Sequence, residues 1–279
     1  MKILFHDIPD SANWTTIKKI NKGWSNDEKF YVKTNSGEQY LLRISDGNCL
    51  VEEASKYSAL EQLNTKDILV AQIITSGKCN NGNSTYRLFE WIEGKEMLER
   101  LDQLTDLALY NYGVQSGLIL RKIHEVNSPS NWIDWSKYYK EKIKKKIGAY
   151  QNCGVRLNKA DKILQYIEDH VSLIENRPQS FHHGDYQIGN MIITSQNELA
   201  IIDFNRLDFG DPWEEFNRIS WTASRSAWMA SGQINGYFSE QASTKFFKLM
   251  ALYIGVNQIG AIPWAIPFGE TTVYATFIS

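Results

Sequence analysis

Three side chains with oxygen donors stand at a spacing suited to chemistry. Asp185 and Asn190 lie in His183-Gly184-Asp185-Tyr186-Gln187-Ile188-Gly189-Asn190, and Asp203 follows an apolar run in Asp203-Phe204-Asn205. An Asp on a loop, an Asn five residues on and a second Asp beyond the next apolar segment is the order that phosphoryl transfer uses. The first carboxylate orients and deprotonates an attacking hydroxyl. The amide and the second carboxylate are hard oxygen donors suited to Mg²⁺. Each residue alone reads equally well as a turn residue or a strand end. Their joint arrangement is what points to chemistry.

These groups need an element to hold them. Met191-Ile192-Ile193-Thr194 and Leu199-Ala200-Ile201-Ile202 are apolar runs separated by the polar residues Ser195-Gln196-Asn197-Glu198. Such a pair predicts a hairpin buried on both faces. Pairing Thr194 with Leu199 sets Asn190 opposite Asp203, with Cβ atoms about 4.5–5.5 Å apart, close enough to share one cation. Asp185 then sits on the loop entering the first strand, beside the metal and not between its ligands.

The His-Gly-Asp-x-x-x-x-Asn segment, the hairpin, Asp203-Phe204 and Gly210-Asp211-Pro212-Trp213 resemble the aminoglycoside phosphotransferase family, small-molecule kinases with a protein-kinase-like fold. The resemblance is specific over residues 182–216 and extends more weakly over almost the whole chain. It implies a two-lobed α+β fold: a mostly antiparallel-sheet lobe over residues 1–91 and a mainly helical lobe over residues 92–279. It also implies transfer of the γ-phosphoryl of ATP or GTP to a hydroxyl of a small molecule, with Mg²⁺ as cofactor. The implied acceptor is of aminoglycoside type. Choline, a macrolide, homoserine or a sugar are the other alcohols, and a nucleotide-binding pseudokinase with a regulatory role is the alternative class. Asp185 would be the catalytic base, Asn190 and Asp203 the metal ligands, and His183 a brace for the loop. Gln187 stands where many relatives have His, and Asn205 where protein kinases have Gly; neither position supplies an essential atom.

In the first lobe, Thr15–Ile20 and Lys29–Thr34 read as strands flanking the loop Asn21–Glu28, and Gln39–Ser45 as a third strand. A strand–loop–strand unit can fold its backbone N–H groups over a nucleotide's phosphates. Gly23 would leave room for close approach, and Ser25 and Asn26 would offer donors. By resemblance, Arg43 holds the place of a phosphate-binding lysine; guanidinium binds phosphate but is no neutral swap for ammonium. Its partner on the helix Leu50–Leu63 would be Glu53, with Glu52 and an alignment that puts Lys56 there left open. Tyr86–Phe89 then leads into Glu90-Trp91-Ile92-Glu93-Gly94. The likeness makes this the interlobe hinge, where a purine bonds the backbone of Glu90 and Ile92 with Phe89 at the back of the pocket.

In the second lobe, Thr105–His124 is a long helix in which Gly113 and Gly117 let another element pack close. Residues 130–177 read as inserted helices. Lys137–Lys146, with six lysines, reads as a solvated face. Asp208, Asp211, Glu214 and Glu215, with Trp213, Trp221, Trp228 and Trp264, would by resemblance face a polycationic acceptor. The competing reading makes Asp211 a helix cap and the tryptophans core residues. A net charge of −2 over 279 residues argues against a nucleic-acid partner. Cys49, Cys79 and Cys153 give neither a disulfide framework nor a metal pattern. Leu249–Phe268 is about long enough to span a bilayer, but Asn257, Gln258, Pro263 and Pro267 favour a buried helix and turn over a membrane span. A soluble, cytoplasmic protein is expected.

Overall fold

Phe30 and Val32, Leu42 and Ile44, and Tyr86 and Leu88 recur at every second residue, and the stretches that carry them build the central sheet. The computed structural model describes residues 5–21, 27–46, 54–239 and 241–266. Strands β1 (Trp14–Ile20), β2 (Glu28–Thr34) and β3 (Gln39–Asp46) form an antiparallel meander. After helix α1 (Ala54–Gln62) and the short strand β4 (Leu69–Val70), β5 (Ile73–Cys79) and β6 (Ser84–Glu90) complete a sheet in the order β1-β2-β3-β6-β5. Phe30, Val32, Leu42, Ile44, Tyr86 and Leu88 bury one face over Ile8 and Cys79. Each such apolar side chain is worth about 1.5–3 kcal/mol of burial.

A second sheet runs in the order β4-β10-β9-β7, with β7 at Lys95–Glu96, leading into the short helix α2 (Met97–Arg100), β9 at Met191–Ile193 and β10 at Leu199–Ile201. Only its β4–β10 pair is parallel. The chain divides into two compact units, residues 1–100 with 190–204 and residues 101–189 with 205–279. The division departs from a single cut near residue 91. β4 and β7 supply the outer neighbours that satisfy the hairpin's backbone groups, so the hairpin belongs to the first unit.

The second unit is mainly helical. It contains α3 (Asp106–Ile123), α4 (Trp135–Asn152), α5 (Ala160–His170), α6 (Ile219–Arg225), α7 (Ala227–Phe238) and α8 (Thr244–Ala265). β8 (Ser180–His182) pairs there with β11 (Asp208–Gly210). Thr105 caps α3 by accepting from the Ala108 N–H, and Asp134 caps α4 by accepting from Lys137. By length and composition α8 could cross a membrane. Here Leu249, Leu252, Tyr253, Val256 and Ile259 join Tyr139, Ile143 and Ile167 in the unit's core. The helix runs through Pro263 without ending there.

The paired glycines of α3 meet a matching pair on α7. A Cβ on Gly117 would collide with the Gln233 carbonyl and stand 2.5 Å from the Tyr237 nitrogen. Gly236 faces the Val114 backbone in the same way. Alanine gains up to about 1 kcal/mol of helix propensity over glycine, whereas overpacking costs about 1–3 kcal/mol and rises where backbone must move. Gly117→Ala is therefore expected to lower stability by at least about 1 kcal/mol in urea melts. A more stable variant would show that this seam is not tight.

Candidate active site

The hairpin that carries Asn190 and Asp203 is set one residue away from the register expected. Ile193 pairs with Leu199 and Met191 with Ile201, and the Ile202 N–H donates to the Asn190 carbonyl at 3.0 Å. Asn190 therefore faces Ile202, not Asp203. The cause lies in the turn. Thr194 closes on Glu198, donating to its carbonyl at 3.0 Å and accepting from its N–H on Oγ1 at 3.2 Å. Asn197 takes the left-handed conformation with φ 61°, which Asn tolerates, so the loop has three residues. Asp203 also has a positive φ of 68°, which takes it out of the strand's alternation and re-aims its side chain.

That carboxylate meets a buried guanidinium. Arg43, 2% exposed, donates from Nη1 to Asp203 Oδ1, and from Nε and Nη2 to Asp27 Oδ2 at 3.2 and 2.7 Å. Lys29 Nζ lies 3.6 Å from Asp203 Oδ2. A charge so deep in a sheet needs opposite charge beside it. Asp27 and Lys29 escaped the sequence reading. The signal was available in register: in the β2–β3 ladder Lys29 pairs with Arg43, one residue from Asp27's end of the strand. Gly23, Ser25, Asn26 and Glu53 lie outside the described residues, and so does any pairing of Glu53 with Arg43.

Asn190 and Asp203 offer hard oxygens on one hairpin. Among the described residues no cluster of three or more His, Cys, Asp or Glu is gathered for a metal. Two protein oxygens suit Mg²⁺, which keeps water and substrate phosphate as its other ligands. At the other end of the sheet, Phe89 is buried in β6 between Leu41 and Ile73. The Glu90 N–H donates to Gln72 O at 2.9 Å and the Trp91 N–H to Gln39 O at 3.1 Å. The Ile92 backbone makes no hydrogen bond among the described residues.

In the second unit the loop bearing Asp185 is held from several sides. Gly184 has φ 82°, and a Cβ there would strike the Arg206 carbonyl. Glu215, 1% exposed, accepts from the His183 N–H at 2.7 Å and the Gly184 N–H at 2.9 Å. His183 Nδ1 accepts from the Asp185 N–H at 3.2 Å, so His183 braces the loop. Tyr186 donates to the Ser116 carbonyl at 2.7 Å, and Gln187 folds back to accept from the Gly189 N–H at 2.7 Å. Asp185 Oδ1 stands 3.2 Å from Nε of Arg218, another residue the sequence reading missed.

A family model, the phosphotransferase enzyme family, matches residues 16–247. The chain belongs to that family. No curated protein matches the sequence closely enough to stand as a relative. Among solved structures, the GDP complex of wild-type aminoglycoside 2'-phosphotransferase-IIIa superposes with a TM-score of 0.68 at 13% identity, covering 99% of this chain and 93% of that one. A putative fructosamine-3-kinase from Haemophilus somnus 129PT gives 0.67 at 13% identity, over 95% and 89% of the two chains. A choline/ethanolamine kinase family protein from Mesorhizobium loti gives 0.65 at 13% identity, over 95% and 85%. These likenesses establish the α+β, protein-kinase-like fold of this phosphotransferase-family member.

Three of the four acids that the resemblance offered to a polycationic acceptor have other work in this phosphotransferase-family chain. Asp211 is fully buried: it takes a bidentate pair from Arg177 at 2.7 and 2.9 Å, accepts from the Tyr253 hydroxyl at 2.6 Å and caps Trp213 N at 3.0 Å. Gly210-Asp211-Pro212-Trp213 is thus a structural turn, and Trp213 lies under the Arg177 guanidinium. Glu214 pairs with Lys142 at 3.1 Å. Lys142 and Lys146 are half-buried, which corrects the expectation of a wholly solvated lysine face. The stem of Lys146 lies on Gly260 of α8, where the missing side chain makes room for it.

Glu215 also sets a pH dependence. Burial raises its pKa, but the imidazoles of His124, His182 and His183 outweigh burial and bring it down to about 2. His124 Nε2 is 3.9 Å away, an electrostatic distance and not a hydrogen bond. Because the folded pKa lies below the unfolded value near 4.3, the ionised group stabilises the fold above about pH 4.5 and loses that contribution as pH falls towards 2. Glu215→Gln is expected to cost roughly 3 kcal/mol at neutral pH and to flatten stability against pH below about 4.5. Unchanged denaturant midpoints across that range would show that Glu215 does not anchor the loop.

Proposed function

We propose that this chain is a small-molecule kinase that moves the γ-phosphoryl of ATP or GTP onto a hydroxyl, with Mg²⁺ as cofactor. The loop from His183 to Asn190 carries the reading. Glu215, His183 and Gln187 fix its backbone, giving Asp185 a set direction, and the chain then delivers Asn190 to the hairpin that ends in Asp203. Solved structures of the same fold include kinases of several small alcohols and complexes with GDP, ADP and ATP, which supports a nucleotide donor and a small acceptor.

In this reading Asp185 orients the acceptor hydroxyl and takes its proton as the new oxygen–phosphorus bond forms. The bond from the γ-phosphorus to the bridging oxygen breaks, leaving a nucleoside diphosphate. Arg43 and Lys29 hold phosphate oxygens of the donor, and the expected role of Glu53 beside Arg43 belongs to the same reading. Gly23, Ser25 and Asn26 cover the phosphates. The backbone of Glu90 and Ile92 takes the purine edge, with Phe89 behind the ring. Asn190 and Asp203 would hold Mg²⁺, which would neutralise negative charge on the donor's phosphates. Positioning of this kind contributes about 7–11 kcal/mol to lowering the barrier. An aminoglycoside-type acceptor is the less favoured choice, because Asp211 and Glu215 are committed inside the fold.

Asp185→Asn tests the assignment. Turnover with Mg²⁺, nucleotide and an accepted alcohol is expected to fall by about 10²–10⁴-fold, while nucleotide affinity by calorimetry stays as in the parent. Undiminished turnover would remove Asp185 from the mechanism.

A further inference from the structure

Asp185 has a cation at its side within its own unit. Arg218 Nε is 3.2 Å from Asp185 Oδ1, and Arg206 packs its backbone where Gly184 leaves room. Lys142 and Lys146 stand one turn apart on α4. Lys142 has a counter-ion, Glu214, and lies 5.0 Å over the Tyr139 ring. Lys146 differs. Its stem is wedged on Gly260, with an ideal Cβ there only 2.5 Å from Lys146 Cδ, and among the described residues its ammonium has no hydrogen bond or ion pair. The charges in reach of it are Lys142, Glu214, Arg218 and Arg206. Burial first, and then the cations against the one acid, press its pKa down to about 8.

The acids here do not balance the bases. Asp185 answers Arg218 and Glu214 answers Lys142, and Asp208 adds a negative charge in reach of Lys142. Arg218 and Lys142 each meet a carboxylate, whereas Lys146 and Arg206 have no ion pair among the described residues. A half-buried ammonium one turn along α4 from the Lys142–Glu214 pair, and within electrostatic reach of Arg206 and Arg218, suits a carboxylate or phosphate, which accepts several charge-assisted hydrogen bonds at once. An amine-rich acceptor would instead bring like charge against Lys146 and Arg218.

We infer that the acceptor is an alcohol that also carries an anionic group, a carboxylate or a phosphate, which Lys146 binds with Arg206 and Arg218 while the hydroxyl meets Asp185. This rests on the kinase reading of Asp185. The test uses the full chain with Mg²⁺ and ATP or GTP, and four alcohols of similar size: glycerate, glycerol phosphate, glycerol and aminopropanediol. Each is compared by kcat/KM and, independently of turnover, by calorimetric binding. One or both anionic alcohols are expected to lead the other two by about 10-fold or more, and the leader names the anion as carboxylate or phosphate. Lys146→Met should raise KM for that alcohol by about 10- to 100-fold with kcat nearly unchanged, and Lys146→Arg should restore most of the loss. The inference is overturned if glycerol or aminopropanediol leads, if neither anionic alcohol binds, or if Lys146→Met leaves their KM unchanged. Anion binding that disappears in Lys146→Met without phosphoryl transfer to any alcohol would instead keep the anion site and sink the kinase reading.

Discussion

A guanidinium buried in a β-sheet constrains everything around it, because an unpaired charge there costs several kcal/mol. Arg43 meets that constraint with Asp27 on one side and Asp203 on the other. The consequence runs along the chain. Asp203 must leave strand alternation to reach Arg43, and it does so with a positive φ at the end of β10. β10 is in turn held between β4 and β9, so the first unit's two sheets and the proposed metal ligand are linked through one charge cluster. Lys29 adds a second cation to the same carboxylate, so Arg43 and Lys29 balance Asp27 and Asp203 in one cluster.

The second unit applies the same physics with the signs exchanged. Asp211 and Glu215 are buried acids, and each is surrounded by donors. Asp211 joins Arg177, Tyr253 and the first turn after Pro212, while Glu215 ties two backbone N–H groups of the loop that carries Asp185. A carboxylate accepting several such bonds favours its ionised form and fixes the geometry of its donors. The direction of Asp185 therefore depends on an acid that touches no reacting atom. Arg218 sets the charge that Asp185 meets from the side.

Much of this was legible in the residues, and the exceptions have physical causes. The strands at residues 14–20, 28–34 and 39–46 lie within a residue of the ranges expected, since alternation marks a half-buried strand strongly. Gly113 and Gly117 correctly announced a close-packed seam. The hairpin register slipped by one because Asn197 adopts a left-handed turn and Thr194 closes on Glu198, a choice of loop length that polarity alone does not reveal. Arg218 was invisible because its partner Asp185 is distant in sequence and becomes a neighbour only through packing, whereas Asp27 and Lys29 come beside Arg43 through a β2–β3 register that the sequence reading did not work out. Of the two readings of the acids after Asp203, the structural one holds for Asp211, which caps the turn at Trp213, and burial assigns Glu215 to the scaffold as well. The lysine run looked solvated, and only the absence of a side chain at Gly260 lets Lys146 bury its stem.

The central claim is that Asp203 serves phosphoryl transfer and not only the pairing of Arg43. Its most direct test is incorporation of labelled γ-phosphoryl into an alcohol by the parent and by Asp203→Asn across a series of Mg²⁺ concentrations. The account predicts incorporation by the parent, a fall of about 100-fold or more in the variant, and a higher Mg²⁺ requirement for whatever activity remains. Equal incorporation at equal Mg²⁺ would contradict it.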